Sequence, residues 1–252
     1  MSNQLKVGVS GAGGRMGKEV IKALTKEQDL VLTAAVDPAF AGKDAGQVAE
    51  IESNGVIIDA SLKEAVNKAE VWVDFTRPDI VKDNIALAVE AGKPIIVGTS
   101  GLSEGYVSSL TTNGVGVLVV PNFALGAVLM MHFAKQAHQF FPNVEIIELH
   151  HDKKVDAPSG TAVKTAELLG AKDVSENQGP RGQNYGGIHV HSVRLPGLIA
   201  HQEVIFGGEG QLLTIRHDSF DRISFMPGVM LALRKIMSIK GPVYGLEHIL
   251  GL

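Results

Sequence analysis

Through the first half of the chain, short unbroken apolar runs alternate with stretches whose apolar residues recur at helical spacing. Leu5–Ser10 is the first run; Gly11-Ala12-Gly13-Gly14-Arg15-Met16-Gly17 follows it, and a helical pattern extends from Lys18 to Lys26. The next run, Leu30–Asp37, ends on an acid. Val56–Ile58, Val71–Thr76, Pro94–Ser100 and Gly116–Asn122 continue the series, with helical patterns over 62–69 and from Pro78 to Gly92 between them. A first helical turn tolerates proline, which suits Pro78 as a start, and Ile80, Ile85, Ala88 and Val89 then share a face. Runs that are apolar at consecutive positions are buried on both sides, so they predict strands of a parallel sheet covered by helices.

After Asn122 the pattern changes. One long helical stretch, Phe123–Phe141, carries Met130, Met131, His132 and His138 and is closed by Pro142. Strands then dominate: Val144–Leu149, Ile188–Leu195, Glu203–Phe206 and Leu212–His217, interrupted by a helix over Thr161–Leu169. Successive strands with few helices predict an α+β domain on a mixed or antiparallel sheet. The expected organisation is an α/β domain over residues 1–122 and this second domain over 123–225. The last helical pattern, Val229–Ile239, is expected to return to the first domain with the rest of 226–252. Ser175–Gly187, rich in Gly, Asn and Gln, reads as a long exposed loop.

Composition narrows the picture by exclusion. A net charge of −4 over 252 residues gives no electrostatic case for nucleic acid or an anionic membrane. The absence of cysteine removes disulfide and thiolate chemistry and fits a reducing compartment. The first residues lack the basic-then-apolar layout of a secretory signal, and no apolar run reaches the roughly 18 residues of a membrane span. The protein is expected to be cytoplasmic.

Strand, glycine turn, helix, strand and acid, in that order, is the layout of a Rossmann-type dinucleotide-binding unit. Glycines let backbone approach a pyrophosphate, and the first N–H groups of the next helix favour its charge. Met16 stands where a third glycine is usual and Gly17 comes one residue later, so a turn that merely packs helix against strand is the competing reading. Candidate cofactor contacts are Gly11, Ala12, Gly13, Gly14, Arg15 and Met16, with Asp37 for the ribose hydroxyls. The strand-end groups Gly98-Thr99-Ser100 and Pro121-Asn122-Phe123-Ala124 lie on the same rim. Because Pro38 rather than a basic residue follows Asp37, NADH is favoured. Arg15 or Lys43 leaves NADPH open.

Chemistry concentrates in Glu148-Leu149-His150-His151-Asp152-Lys153-Lys154-Val155-Asp156-Ala157-Pro158-Ser159-Gly160-Thr161-Ala162. A helix opening with Ser159-Gly160-Thr161 offers backbone N–H groups and hydroxyls to a carboxylate. Imidazole and ammonium groups beside it can move a proton near neutral pH. No metal site is expected: His150 and His151 alternate faces if the strand continues, and no metalloprotease pattern occurs. A purely structural polar loop is the bland alternative. Asp156 could cap a turn, and Lys153 could be a solvated partner of Asp152 or Glu148.

This stretch resembles the signature of the dihydrodipicolinate reductase family, also called 4-hydroxy-tetrahydrodipicolinate reductase. The family pattern Glu-x-His-His-x-x-Lys-x-Asp-Ala-Pro-Ser-Gly-Thr-Ala is matched at every fixed position. The resemblance extends to Gly11–Gly17, Asp74-Phe75-Thr76, Gly98–Gly101, Asn122-Phe123 and Gly187–Arg194, where His189 and His191 both stand near the family's one histidine. It implies NAD(P)H-dependent reduction of a small cyclic dicarboxylate in the diaminopimelate route to lysine. His150 would be the proton donor or acceptor and Lys154 a proton donor. His151, Ser159, Gly160 and Thr161 would bind substrate. It further implies a homotetramer joined through the second domain's sheet.

Overall fold

The computed structural model describes residues 4–171 and 181–252. Its strands are β1 (Leu5–Ser10), β2 (Leu30–Val36), β3 (Ile58–Asp59), β4 (Val71–Asp74), β5 (Ile95–Val97), β6 (Val117–Val119), β7 (Asn143–His150), β8 (Gln183–Tyr185), β9 (Ile188–Arg194), β10 (Ala200–Gly208), β11 (Gln211–Ser219) and β12 (Pro242–Tyr244). The chain forms two compact units. One contains the chain up to Phe123 together with Phe225–Leu252, and the other is Ala124–Ser224.

In the first unit a parallel sheet runs β12-β6-β5-β4-β1-β2-β3. The chain winds outward in both directions from β1, whose neighbours are β2 and β4. That reversal places a ligand crevice at the carboxyl ends of β1 and β4, where Ser10 pairs in register with Asp74. The unalternating runs are buried as their sequence requires: Val7, Val9, Val71, Trp72, Val73, Ile95, Ile96 and Leu118 are fully enclosed. Each such side chain stabilises the fold by about 1.5–3 kcal/mol. Gly8 makes room for Trp72, since a Cβ there would meet the indole at 2.7 Å, and the indole N–H donates to the Val66 carbonyl.

The helix after the glycine turn is Arg15–Leu24, three residues ahead of the sequence expectation, because Gly14 already serves as its N-cap. Val20, Ile21 and Leu24 face the sheet. The helix Met226–Lys235 packs beside it, and Arg234 bonds Asp29 at 2.7 and 2.8 Å and also reaches Glu27. The expected strand at Val56–Ile58 is reduced to the two residues of β3 at the sheet edge. Its neighbours are instead drawn into a turn around Asp44, which accepts from Ser53, Asn54 and Gly55.

The second unit is built on β11-β10-β7-β9-β8. Only β7 and β9 run parallel; β10/β7, β10/β11 and β8/β9 are antiparallel. Helices Leu125–His138 and Gly160–Leu168 contribute Met130, Ala134, Ala162 and Ala166 to a core with Ile146, Val190, Val204 and Phe206. The long helix is shorter than its apolar pattern at both ends. Ala124 is extended, and Phe140 is 81% exposed beyond the last turn. The expected loop Ser175–Gly187 lies outside the described residues up to 180, and its end is corrected: Gln183–Tyr185 pairs with β9 through a turn at Gly186 and Gly187, both at positive φ. Tyr185 is buried in this polar hairpin. No helix among the described residues is long and apolar enough to cross a membrane.

Candidate active site

In the first unit the predicted cofactor residues gather at the carboxyl ends of the strands. Gly11, at φ 79°, turns the chain so that the N–H groups of Gly11 and Ala12 both donate to Val36 O. Gly17 supplies the close approach that the motif's spacing left in question. A Cβ there would lie 2.1 Å from Gly11 O and 2.9 Å from Ala12 Cα, so helix and turn touch through backbone. No side chain caps the first turn of Arg15–Leu24, and Gly14 and Arg15 are exposed. Helical geometry leaves the opening N–H groups without intrahelical acceptors, so this turn suits a diphosphate.

Asp37 is oriented by backbone. Its Oδ2 accepts from Gly13 N at 2.9 Å and its Oδ1 from Ala39 N at 3.0 Å. The carboxylate therefore sits on the glycine turn with lone pairs remaining for hydroxyl donors. Phe40 covers the Cα of Gly13, where a Cβ would meet its ring at 2.2 Å, and Lys43 lies over the same ring.

A second group is organised by Asp74, which is fully buried. It accepts from Thr76 N at 3.0 Å, Thr76 Oγ1 at 2.7 Å, Thr99 Oγ1 at 2.8 Å and Asn84 Nδ2 at 2.7 Å. Thr99 is thereby turned inward. Gly98 abuts Phe75, whose ring lies 5.6 Å from that of Phe123. Ser100 and Pro121 are exposed, and Asn122 is half-buried. Phe123 closes the first unit and Ala124 opens the second.

In the second unit β7 ends at His150, so His151 stands beyond the strand and is exposed. Glu148 and His150, two residues apart, share a face of β7. Parallel pairing places Ser192 beside Glu148 and Arg194 beside His150. Arg194 clamps the Glu148 carboxylate with Nη1 to Oε2 at 2.9 Å and Nη2 to Oε1 at 2.7 Å. His150 Nδ1 bonds Oε2, and Ser159 N donates to Oε1 at 3.2 Å. Glu148 is fully enclosed. Burial pushes its carboxyl up, but the hydrogen bonds from His150, Arg194 and Ser192 outweigh that and hold it down at about 2.

Ser159 caps the Gly160–Leu168 helix, its Oγ accepting from Ala162 N at 3.3 Å. Gly160 is exposed and a Cβ there would meet nothing within 4 Å, which leaves space before the helix end. Lys154 lies in the connecting loop, its ammonium on both Asp156 oxygens at 2.7 and 2.8 Å. That hydrogen bond holds the Asp156 carboxyl below its ordinary value against a smaller opposing effect of burial. Arg194 reaches the same loop through Asp156 O at 2.8 Å. Lys153 is exposed. One buried carboxylate thus joins His150 to the opening of the helix, while Lys154 is held by its own neighbour. Among the candidate residues, Glu148 and Arg194 were not assigned roles from the sequence. No cluster of three or more His, Asp or Glu suited to a metal occurs among the described residues.

An open glycine turn at the switch point of a parallel sheet, and a separate unit able to hold an anion and move a proton, place the chain among two-domain oxidoreductases that use a pyridine nucleotide. Comparison with known proteins narrows the class. The family profile described as "Dihydrodipicolinate reductase, N-terminus" matches residues 5–123, and "Dihydrodipicolinate reductase, C-terminus" matches 126–250. The chain belongs to the dihydrodipicolinate reductase family. It is 51% identical to the 4-hydroxy-tetrahydrodipicolinate reductase of Listeria welshimeri, over 98% of this chain and all of that one. It is 48% identical to that of Moorella thermoacetica, over 98% of each. A solved dihydrodipicolinate reductase from Paenisporosarcina, described as dipicolinate-bound, superposes with a TM-score of 0.83 at 40% identity, covering 98% of this chain and 99% of that one.

Proposed function

We propose that this chain reduces 4-hydroxy-tetrahydrodipicolinate, by way of dihydrodipicolinate, to tetrahydrodipicolinate in the diaminopimelate route to lysine. The observation that carries this reading is the coupling of His150 and the Ser159-Gly160-Thr161 helix opening through one buried carboxylate. It combines a proton-bearing imidazole with an anion-binding helix end, which is what a dicarboxylate undergoing reduction requires.

Gly11, Ala12, Gly13, Gly14, Arg15 and Met16 would hold the diphosphate of NADH or NADPH, with Asp37 on the ribose. Gly98, Thr99, Ser100, Pro121, Asn122, Phe123 and Ala124 would line the path of the nicotinamide. The cofactor, when bound, supplies the hydride. The chain supplies the rest: Ser159, Gly160, Thr161 and His151 hold the carboxylates, and His150 and Lys154 deliver the proton that completes the reduction. Asp37, set by two backbone donors and followed by Pro38, favours NADH. The active form is read as a cytoplasmic homotetramer assembled through the second unit's sheet, whose edge strand β11 exposes Leu212 and Leu213.

The test is loss of NADH absorbance with dihydrodipicolinate supplied. His150→Gln and Lys154→Ala should each lower turnover at least about a hundredfold while leaving the KM for NADH nearly unchanged. Unchanged turnover in either variant removes that residue from the mechanism, and no turnover in the wild type removes the function.

A further inference from the structure

We propose that Glu148 is a positioning residue for proton transfer: its carboxylate fixes the His150 tautomer with hydrogen on Nδ1, leaves Nε2 for the substrate, and locks that imidazole to the helix opening at Ser159. The proposal rests on the reading of His150 as the proton donor.

The geometry leaves little choice. An ionised carboxylate only accepts hydrogen bonds, so the nitrogen facing Glu148, Nδ1, must carry a hydrogen. When His150 gives its Nε2 proton to a substrate carbon, that N–H bond breaks, the C–H bond forms, and the imidazolium becomes the neutral Nδ1–H ring. This is the tautomer Glu148 already holds, so no hydrogen bond has to be exchanged during the step, and Nε2 is reprotonated from water. Nor can the carboxylate turn with the ring. Arg194 grips both of its oxygens in parallel, an arrangement with strong geometric preference, and Ser159 N holds Oε1. The carboxylate therefore carries the orientation of the parallel β7/β9 pair and of the Gly160–Leu168 helix to the imidazole. The groups it serves arise from three separate stretches of chain, which a carboxylate needed only to neutralise Arg194 would not require.

The amide of Glu148→Gln has one acceptor oxygen where four donors converge. With its nitrogen facing His150, Nδ1 must become an acceptor and the hydrogen moves to Nε2. The experiment records long-range ¹H–¹⁵N spectra of histidine-labelled wild type, Glu148→Gln and the double variant Glu148→Gln/Arg194→Met, with His150→Gln assigning the signals, beside kcat, KM and melting temperature. The expected result is an Nδ1–H pattern in the wild type that is lost in Glu148→Gln, and a kcat lowered at least about thirtyfold, as a wrong tautomer does in other histidine–carboxylate pairs. The KM for NADH should stay within about twofold. Removing both members of the ion pair should restore melting temperature but not kcat. A kcat that recovers with stability in the double variant would overturn the proposal and leave Glu148 a structural counter-ion. So would a Glu148→Gln protein that keeps the Nδ1–H pattern with kcat within about threefold of wild type. If the wild type has no reductase turnover, the proposed function fails by itself, while its spectrum still reports whether Glu148 sets the tautomer.

Discussion

Arg194→Met keeps much of the side chain's aliphatic length and removes both hydrogen bonds to Glu148. What remains is a carboxylate of a fully buried residue with His150, Ser192 and Ser159 N as partners. Breaking one member out of a buried ion pair typically costs about 3–5 kcal/mol, because the other charge is left uncompensated. The depressed carboxyl points the same way: a fall from 4.5 to about 2 corresponds to about 3 kcal/mol favouring the charged form in the folded state. His150 and Ser192 carry part of that, so Arg194 accounts for less than the whole of it, and the loss near neutral pH is expected at the lower end of the ion-pair range, about 3 kcal/mol. The sign with pH follows. A lowered folded-state pKa gives the wild type stability that is complete above about 4.5 and disappears as pH falls toward about 2. In the variant burial dominates, the folded-state value rises, and the deficit grows as pH increases. The difference between the two proteins should therefore be large near pH 7 and shrink near pH 4. The chain's one tryptophan, Trp72, belongs to the first unit, so hydrogen exchange of β7 and β9 amides in urea is the suitable assay. A deficit below about 1 kcal/mol near neutral pH, or one that does not shrink in acid, would show that the pair is not what holds Glu148.

Gly17→Ala places a methyl 2.1 Å from Gly11 O with backbone on both sides. The helix must shift, at a cost of about 1–3 kcal/mol, and the KM for NADH should rise about tenfold because the N–H groups proposed to face the diphosphate move with it; a wild-type melting temperature together with a wild-type KM would contradict this. Asp37→Ala removes the acceptor for Gly13 N and Ala39 N as well as the proposed ribose contact. Its kcat/KM for NADH should fall about tenfold and that for NADPH markedly less, since a carboxylate repels a 2′-phosphate; equal losses with both cofactors would confine Asp37 to shaping the turn.

The parallel sheet was legible because burial on both faces writes itself into consecutive apolar residues, as in Val71-Trp72-Val73 and Ile95-Ile96-Val97. Signals tied to short or polar segments were not. β12 has three residues, all half-buried, and joins the sheet only through its long-range pairing with β6. Gln183-Asn184-Tyr185 carries a composition that reads as loop, and only its pairing with β9 makes it strand. The Phe123–Phe141 pattern ran past the real helix because apolar residues outside its ends, such as buried Phe123 and exposed Phe140, serve other surroundings.

The site divides along the same line. Local chemistry could be read directly: a glycine turn before a helix, an acid ending the next strand, and Ser159 with two small residues opening a helix. The partners that give those groups their chemistry could not, because they come from pairing. Asp74 faces Thr99 and Asn84 only after β4, β5 and the helix Val81–Glu90 between them assemble, although its place in an Asp-Phe-Thr run already marked the segment. Glu148 was half visible. Strand alternation puts residues 148 and 150 on one face, so an acid two residues before the histidine proposed to move the proton was a readable pair. Arg194 lies 46 positions away, and no spacing rule connects it to Glu148; the parallel register of β7 and β9 does. The two sequence blocks Glu148–Ala162 and Gly187–Arg194 therefore meet at a single carboxylate. Substitutions in either block should be read as changes to the same hydrogen-bond network rather than as independent effects, and the double variant at Glu148 and Arg194 measures that coupling directly.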